Sequence, residues 1–571
     1  MISVRRLASF VWIPVLLLAL GLLGLHSRAA LERADHLTAL ASEPPSVDAT
    51  SKTGYAGGLR WWVVPGHRTG SYQWITQAQE LLANGGWHLA RINYDNAPIG
   101  REVTSLSPYR CWLAAVARGH RFLTGAPGGI AVERAARYAD PLLLALCVTA
   151  CTVLLAWRVG SVTAAVFAAA GTAASLASGW FVAGAPDATA LTAAACALLA
   201  VAVVCAFWPR RERRAATRPT AGAVSPGGAP DRYAVPRLAL AAVIVAAAAV
   251  FGLRSVPRGP LPEITQLPRD ALEALLEREA AHWLARRAGE EGAIVLAPPR
   301  LSVSLFFHGG LQVLGTPYRD NEDGFRGAMR LASAPAADEA QALVRQRQLT
   351  HVLIPSWDGF LDDYARLGAA QPEGSLIGIL HRWLPPRWLR PVPYYLPNLP
   401  ELANDRLVVF EVTEVQEPAA SLSRLADYFV DMAQPDLAGR AARALTVQFP
   451  QELTAAIARA RAHALRREPA LLQEALAQVG RELEEGTDEL LAWDRRVNLC
   501  LLLADTGQDD LARVQADLLL AAMTERDLRS LPAPALFRFL TLCRALGLEP
   551  GDPAWMEKVR RWLPPQLRDR T

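Results

Sequence analysis

The chain has 571 residues, 51% hydrophobic and 20% charged, with a formal net charge of +4 and a mean hydropathy of +0.14. A positive mean over such a length comes from membrane spans, which excludes a disordered chain and argues against an ordinary cytosolic enzyme of three or four domains. So small a net charge gives no footprint for nucleic acid, and seven cysteines without CxxC or zinc spacing make no disulfide framework.

Five apolar runs are predicted to span a bilayer, each near the required length of about 20 residues. The first covers residues 7–25, behind Arg5 and Arg6. It is longer than the core of a signal peptide, and His26-Ser27-Arg28-Ala29-Ala30 is a poor cleavage site, so an uncleaved anchor (1–28) is favoured over a cleaved leader. Residues 29–139 then form a large loop. Within it, 30–60 reads as a linker rich in proline and glycine. Residues 71–84 read as a helix with Tyr72, Ile75, Ala78, Leu81 and Leu82 on one face and Gly85-Gly86 as its stop. Helices are also expected at 108–119 and 129–138. The other four spans are 141–157, 162–182, 188–207 and 238–253, within a membrane section covering 140–253.

The stretch 209–237 holds Arg210, Arg211, Arg213, Arg214, Arg218, Arg232 and Arg237 against Glu212 and Asp231. The positive-inside rule places it in the cytoplasm. Counting outward puts the N-terminus inside, and 26–139 and 254–571 outside. In a Gram-negative cell that is the inner membrane with periplasmic domains.

After the last span, 254–415 alternates helices, from Asp270 and from Asp338, with strands near 293–296, 311–314, 351–354 and 407–410. This predicts a small α/β domain. Residues 416–571 lack strand signals and break near Pro435, Pro450, Pro469, Gly486, Gly507 and Pro532. Stacked helical hairpins of tetratricopeptide type and an irregular bundle both fit. The fold class expected is therefore an α-helical transmembrane bundle of about five spans, with an exterior helical loop, a small α/β domain and a C-terminal helical-hairpin domain.

Chemistry points first to residues 91–102. Asp95 and Glu102 are its carboxylates, suited to general-base work or to holding a divalent cation, with magnesium and manganese as the hard-ion choices. Arg101 suits an anionic group, and Asn93 and Tyr94 complete a substrate-binding set. The alternative is structural: an Asx turn at Asp95-Asn96 and a solvated Arg101–Glu102 pair. Asp187, in the tight turn 183–187, is a second site carboxylate or a metal ligand; as a helix N-cap it would satisfy backbone amides instead, and both roles are compatible. Asp140 is expected to cap the second span with Pro141 in the first turn. His67, His88 and His308 stand alone in the sequence.

The order of first span, large helical loop, closely spaced spans and exterior soluble domain resembles the GT-C class of membrane glycosyltransferases, especially bacterial relatives of the oligosaccharyltransferase catalytic subunit. The residues that carry the resemblance are the helix from Tyr72 to its Asn84-Gly85-Gly86-Trp87 turn, Asp187 in the exterior turn 180–191, and Gly315-Thr316-Pro317-Tyr318 with Thr350-His351-Val352-Leu353-Ile354-Pro355. It covers roughly residues 7–410. The resemblance implies transfer of a sugar from a polyprenyl-phosphate donor to an exterior acceptor at the membrane surface. Four departures are visible. Gly66-His67-Arg68-Thr69-Gly70 has no carboxylate where the family has one. Ala188 and Thr189 replace the family's histidines. There are five spans rather than seven or more, and no Trp-Trp-Asp motif occurs in the tail. The rival expectation is a non-catalytic envelope scaffold on the same fold, with a protein partner bound by residues 421–561.

Overall fold

The computed structural model describes residues 10–40, 44–104, 106–208, 234–257, 259–335, 337–531 and 533–548, with 559, 562 and 563. Arg5, Arg6 and the arginines from Arg210 to Arg232 lie outside the described residues. The chain divides into two compact units, Met1–Ile92 with Glu102–Glu279, and Asn93–Arg101 with Ala280–Thr571.

The first unit holds five helices long and apolar enough to cross a membrane: Trp12–Ala39, Gly128–Arg158, Ser161–Ser178, Ala188–Phe207 and Arg237–Ser255. Their shared core is built from small side chains such as Ala164, Ala168, Ala190 and Ala194 beside Leu144, Cys151 and Leu155. Small residues let helix backbones approach closely, the main source of attraction where lipid removes the hydrophobic drive. The opposite flank of Ala188–Phe207 leaves Leu199, Val203, Val204 and Phe207 exposed, as a lipid-facing surface requires.

Three expectations are corrected here. The first helix does not end near residue 25. It runs on to Ala39, carrying the charged residues Arg28, Glu32, Arg33 and Asp35, so the supposed linker at 30–60 is helical in its first third. The amphipathic helix at 129–138 and the second span are one continuous helix, Gly128–Arg158, with Pro141 inside it. Asp140 is therefore not a cap. A proline within a helix frees the carbonyl four residues earlier. That carbonyl, of Arg137, accepts the Gly184 N–H at 3.1 Å, which is why the helix survives.

Helix Thr69–Ala83 buries Tyr72, Ile75, Ala78, Leu81 and Leu82, the face its spacing predicts. Pro108–Thr124 starts on a Ser107 cap and ends on left-handed Gly125.

The second unit contains a mixed sheet of β3 (Ile294–Leu296), β4 (Gln312–Val313), β5 (His351–Pro355), β6 (Leu389–Val392) and β7 (Leu407–Val412), in the order β4-β3-β5-β7-β6. β4, β3 and β5 run parallel, and β7 and β6 are antiparallel additions. All five residues of β5, the central strand, are buried, as expected for a strand covered on both faces. Strand β6 went unpredicted because its sequence, Leu-Arg-Pro-Val, has a proline that suits only an edge.

The tail is helical from Pro418. Its helices begin at Pro418, Pro435, Leu453 and Pro469, so alternate starts recur 35 and 34 residues apart. Each packs on its neighbour, and Pro418–Asp431 and Leu453–Arg466 also pack on each other. That is the stacking of a helix-pair array. The array belongs to the same compact unit as the sheet. Trp383 packs against Tyr428 and Phe429 at ring distances of 5.3 and 5.1 Å. The change of element type near residue 415 is thus not a break in packing.

Candidate functional site

The polar turn lies between two short strands, β1 (Arg91–Ile92) and β2 (Arg101–Glu102). Residues 93–101 belong to the second unit. There they extend the sheet beyond β4: Val313 N–H donates to the Tyr94 carbonyl at 2.9 Å, and Asn96 and Ala97 N–H donate to Leu314 and Val313, both at 3.1 Å. The Tyr94 ring stacks on Phe306 with centroids 4.2 Å apart.

The Asp95 side chain is fully buried and receives Arg101 Nε on both oxygens, at 3.0 and 3.1 Å. Thr316 Oγ1 donates to it at 3.4 Å. Burial pushes the Asp95 carboxyl above its ordinary range, against the pull of Arg101. Arg101 reaches Asp320 as well, at 3.6 Å. Asn96 donates to the Gly100 carbonyl at 2.9 Å and accepts from Arg347 Nη1 at 2.9 Å. Asn93 and Glu102 are exposed. The expected solvated Arg101–Glu102 pair is therefore replaced by a buried Arg101–Asp95 pair. Asp95 lacks the open edge that a base or a metal ligand needs.

Asp187, in the first unit, begins helix Ala188–Phe207. Its Oδ1 accepts the Thr189 N–H at 2.9 Å, so it is an N-cap. Its own N–H donates to Asp140 Oδ2 at 3.0 Å. Asp140 is fully buried, and its other oxygen takes the Tyr109 hydroxyl at 2.5 Å. Burial and the neighbouring Asp140 drive the Tyr109 phenol well above its ordinary value, so it stays a proton donor. Trp112 Nε1 donates to the Ala139 carbonyl at 3.2 Å, and Arg68 Nη2 to the Gly179 carbonyl at 3.2 Å. The Asp140 carboxylate, the Tyr109 phenol and the backbone of the capping residue Asp187 thus meet at one place.

Sequence reasoning missed Asp140 and Tyr109 as members of one cluster, because 31 residues separate them and each has an ordinary local explanation. It also left His67 without a partner. His67 Nε2 lies 3.0 Å from Glu277 Oε2, with both side chains buried. The glutamate comes from helix Arg269–Ala288, some two hundred residues away, and no local signal could have supplied it. Among the described residues, no three His, Cys, Asp or Glu side chains converge as a metal site. Compared with protein-family models, curated proteins and solved structures, the chain matches none.

Proposed function

We propose that this chain is a multi-pass membrane protein of the cell envelope that holds its exterior region as a non-catalytic, partner-binding scaffold. The N-terminus and residues 209–237 face the cytoplasm, and residues 26–139 and 254–571 face the exterior, the periplasm in a Gram-negative cell. The observation that carries this reading is the state of the 91–102 turn. Its chemically apt residues are engaged in docking: Asp95 and Arg101 neutralise each other, Tyr94 stacks, and Asn96 bridges. The partner surface is assigned to the tail. On helix Asp509–Ala522, Leu511, Val514 and Leu518 recur at helical spacing and are exposed by 44, 54 and 50%. Such a stripe suits the apolar face of a protein partner.

A second reading is favoured by one observation, the hydrogen bond from the Asp187 N–H to Asp140 that brings the Asp187 turn beside a buried carboxylate. On that reading the chain transfers a sugar from a polyprenyl-phosphate donor, with the two carboxylates at the membrane surface close to the developing charge. One experiment separates the two readings. Asp187→Asn and Val514→Asp/Leu518→Asp chains are expressed in cells lacking the protein, and envelope function is scored at matched membrane levels. The scaffold reading expects Asp187→Asn to restore function fully and the double tail variant to fail. Loss with Asp187→Asn and full function with the tail variant reverses the assignment.

A further inference from the structure

The second unit has a partly open cavity of about 80 Å³ beside strand β6 and the helices Pro418–Asp431 and Trp493–Asp505. Its walls carry Arg287, Arg390, Arg424 and Arg495 beside the aromatic rings of Tyr428 and Trp493. Most of these guanidiniums are well engaged. Arg287 and Arg390 meet Glu411 at 2.8 and 3.0 Å. Arg424 grips Asp494 with two nitrogens, at 2.8 and 3.0 Å. Arg495 bonds Asp427 and Asp494, and Arg461 bonds Asp427 and Asp431.

The balance of this network is uneven. Five guanidiniums face four carboxylates, Glu411, Asp427, Asp431 and Asp494, and all nine side chains are at most 24% exposed. Burial keeps the neighbouring His351 neutral, so it adds no charge of its own at neutral pH. A partly desolvated surplus cation is costly unless an anion meets it. Arg390 faces the cavity and uses only Nε and Nη2 on Glu411, which leaves Nη1 without a bond among the described residues. Arg495 uses Nε and Nη1, which leaves Nη2 likewise. Both donors belong to residues that line the cavity, as do Tyr428 and Trp493; guanidinium N–H groups suit an oxyanion, and aromatic rings suit an apolar body.

We infer that this cavity binds a small organic anion, a carboxylate or a phosphate, through Arg390 and Arg495, with its body against Tyr428 and Trp493. The site stands on the second unit alone and does not depend on either reading of the whole protein.

The test uses the full-length chain in detergent, with inorganic phosphate, phenyl phosphate and benzoate as probes and sodium chloride at matched ionic strength as control. Calorimetric titration and thermal unfolding are read together. Saturable binding of at least one probe, with a rise in Tm that chloride does not give, is expected. Preference among the probes separates a phosphate from a carboxylate ligand. Arg390→Gln should weaken binding at least tenfold. Ala535→Trp, which fills the cavity and leaves every ion pair in place, should abolish it and covers the case in which Arg390→Gln fails to fold. Absence of saturable binding by all three probes, or unchanged binding in a folded Ala535→Trp, overturns the site and leaves the network as a structural clamp only.

Discussion

His351 opens β5 with its Nδ1 2.9 Å from the Thr350 hydroxyl, and its pKa is pushed down to about 4, by burial first and by the nearby Arg287 and Arg390. An unfolded histidine titrates near its ordinary 6.5. Between those values the unfolded chain binds a proton that the folded chain refuses, so stability is complete above 6.5 and declines as pH falls toward 4. Glu411 and Asp494, held well below the usual carboxylate range by surrounding arginines in spite of burial, add to the loss below about 4.5. In His351→Asn the thermal stability should vary less between pH 6.5 and 4 than in the wild type. An unchanged pH slope would sink this assignment. The Asp95–Arg101 pair gives a second prediction at this scale. Arg101→Gln leaves a fully buried carboxylate unpaired and should destabilise the second unit by roughly 3–5 kcal/mol, measured by denaturant unfolding. Asp95→Asn on that background should recover part of the loss, and no recovery would show that Arg101 acts through something other than charge. Both residues were named from sequence as chemically apt. What the sequence hid was that they are each other's partner six positions apart, sealed by Thr316 from a different stretch of chain.

Helix-scale features were the most legible, because their signals are local. Helix Ala188–Phe207 has the predicted limits, since its apolar run is bounded by the Asp187 cap and by Trp208. The face of Thr69–Ala83 and four of the five strands of the large sheet were readable from spacing and β-branched runs. The end of the first helix was not: charged residues beyond Leu25 look like an exit from the bilayer, and they are also compatible with a helix that continues into water. Close approach between elements is equally invisible in sequence. Gly129, near the start of helix Gly128–Arg158, shows this. A Cβ there would lie 2.1 Å from the Thr53 carbonyl carbon, while one at Gly128 would meet nothing nearer than 3.8 Å. Gly129→Ala should therefore lower stability by about 1–3 kcal/mol, and Gly128→Ala should be near neutral. Equal melting temperatures for the two variants in detergent would mean that the Thr53 segment yields without loss.

At the scale of the whole molecule the membrane arrangement follows from where helix ends meet. Helices Gly128–Arg158 and Ser161–Ser178 are joined by two residues, with Gly160 at φ 146°, so they run in opposite directions. Arg158 Nη2 donates to the Cys205 carbonyl at 3.1 Å, which places the end of Gly128–Arg158 beside the end of Ala188–Phe207. The Asp187 N–H donates to Asp140 at 3.0 Å, which sets the start of Ala188–Phe207 beside a point of Gly128–Arg158 eighteen residues before Arg158. One side of the bundle therefore holds Arg158 and leads into the arginine-rich stretch after Trp208. The other holds the Asp140–Asp187 cluster. On the proposed topology, in which the positive-inside rule keeps the arginines cytoplasmic, the carboxylate side is the exterior one. Cysteines placed singly at Gly222 and at Glu414, in a background with Cys111 and Cys196 changed to serine, should be labelled from opposite faces by a membrane-impermeant maleimide. In intact cells, or in spheroplasts where an outer membrane blocks the reagent, only Glu414→Cys should react. Gly222→Cys should react after the membrane is opened. Labelling of both before opening, or of Gly222→Cys alone, would invert or remove this topology. With it would go the assignment of the carboxylate cluster and the tail to the exterior, because both assignments rest on the side that the arginines choose.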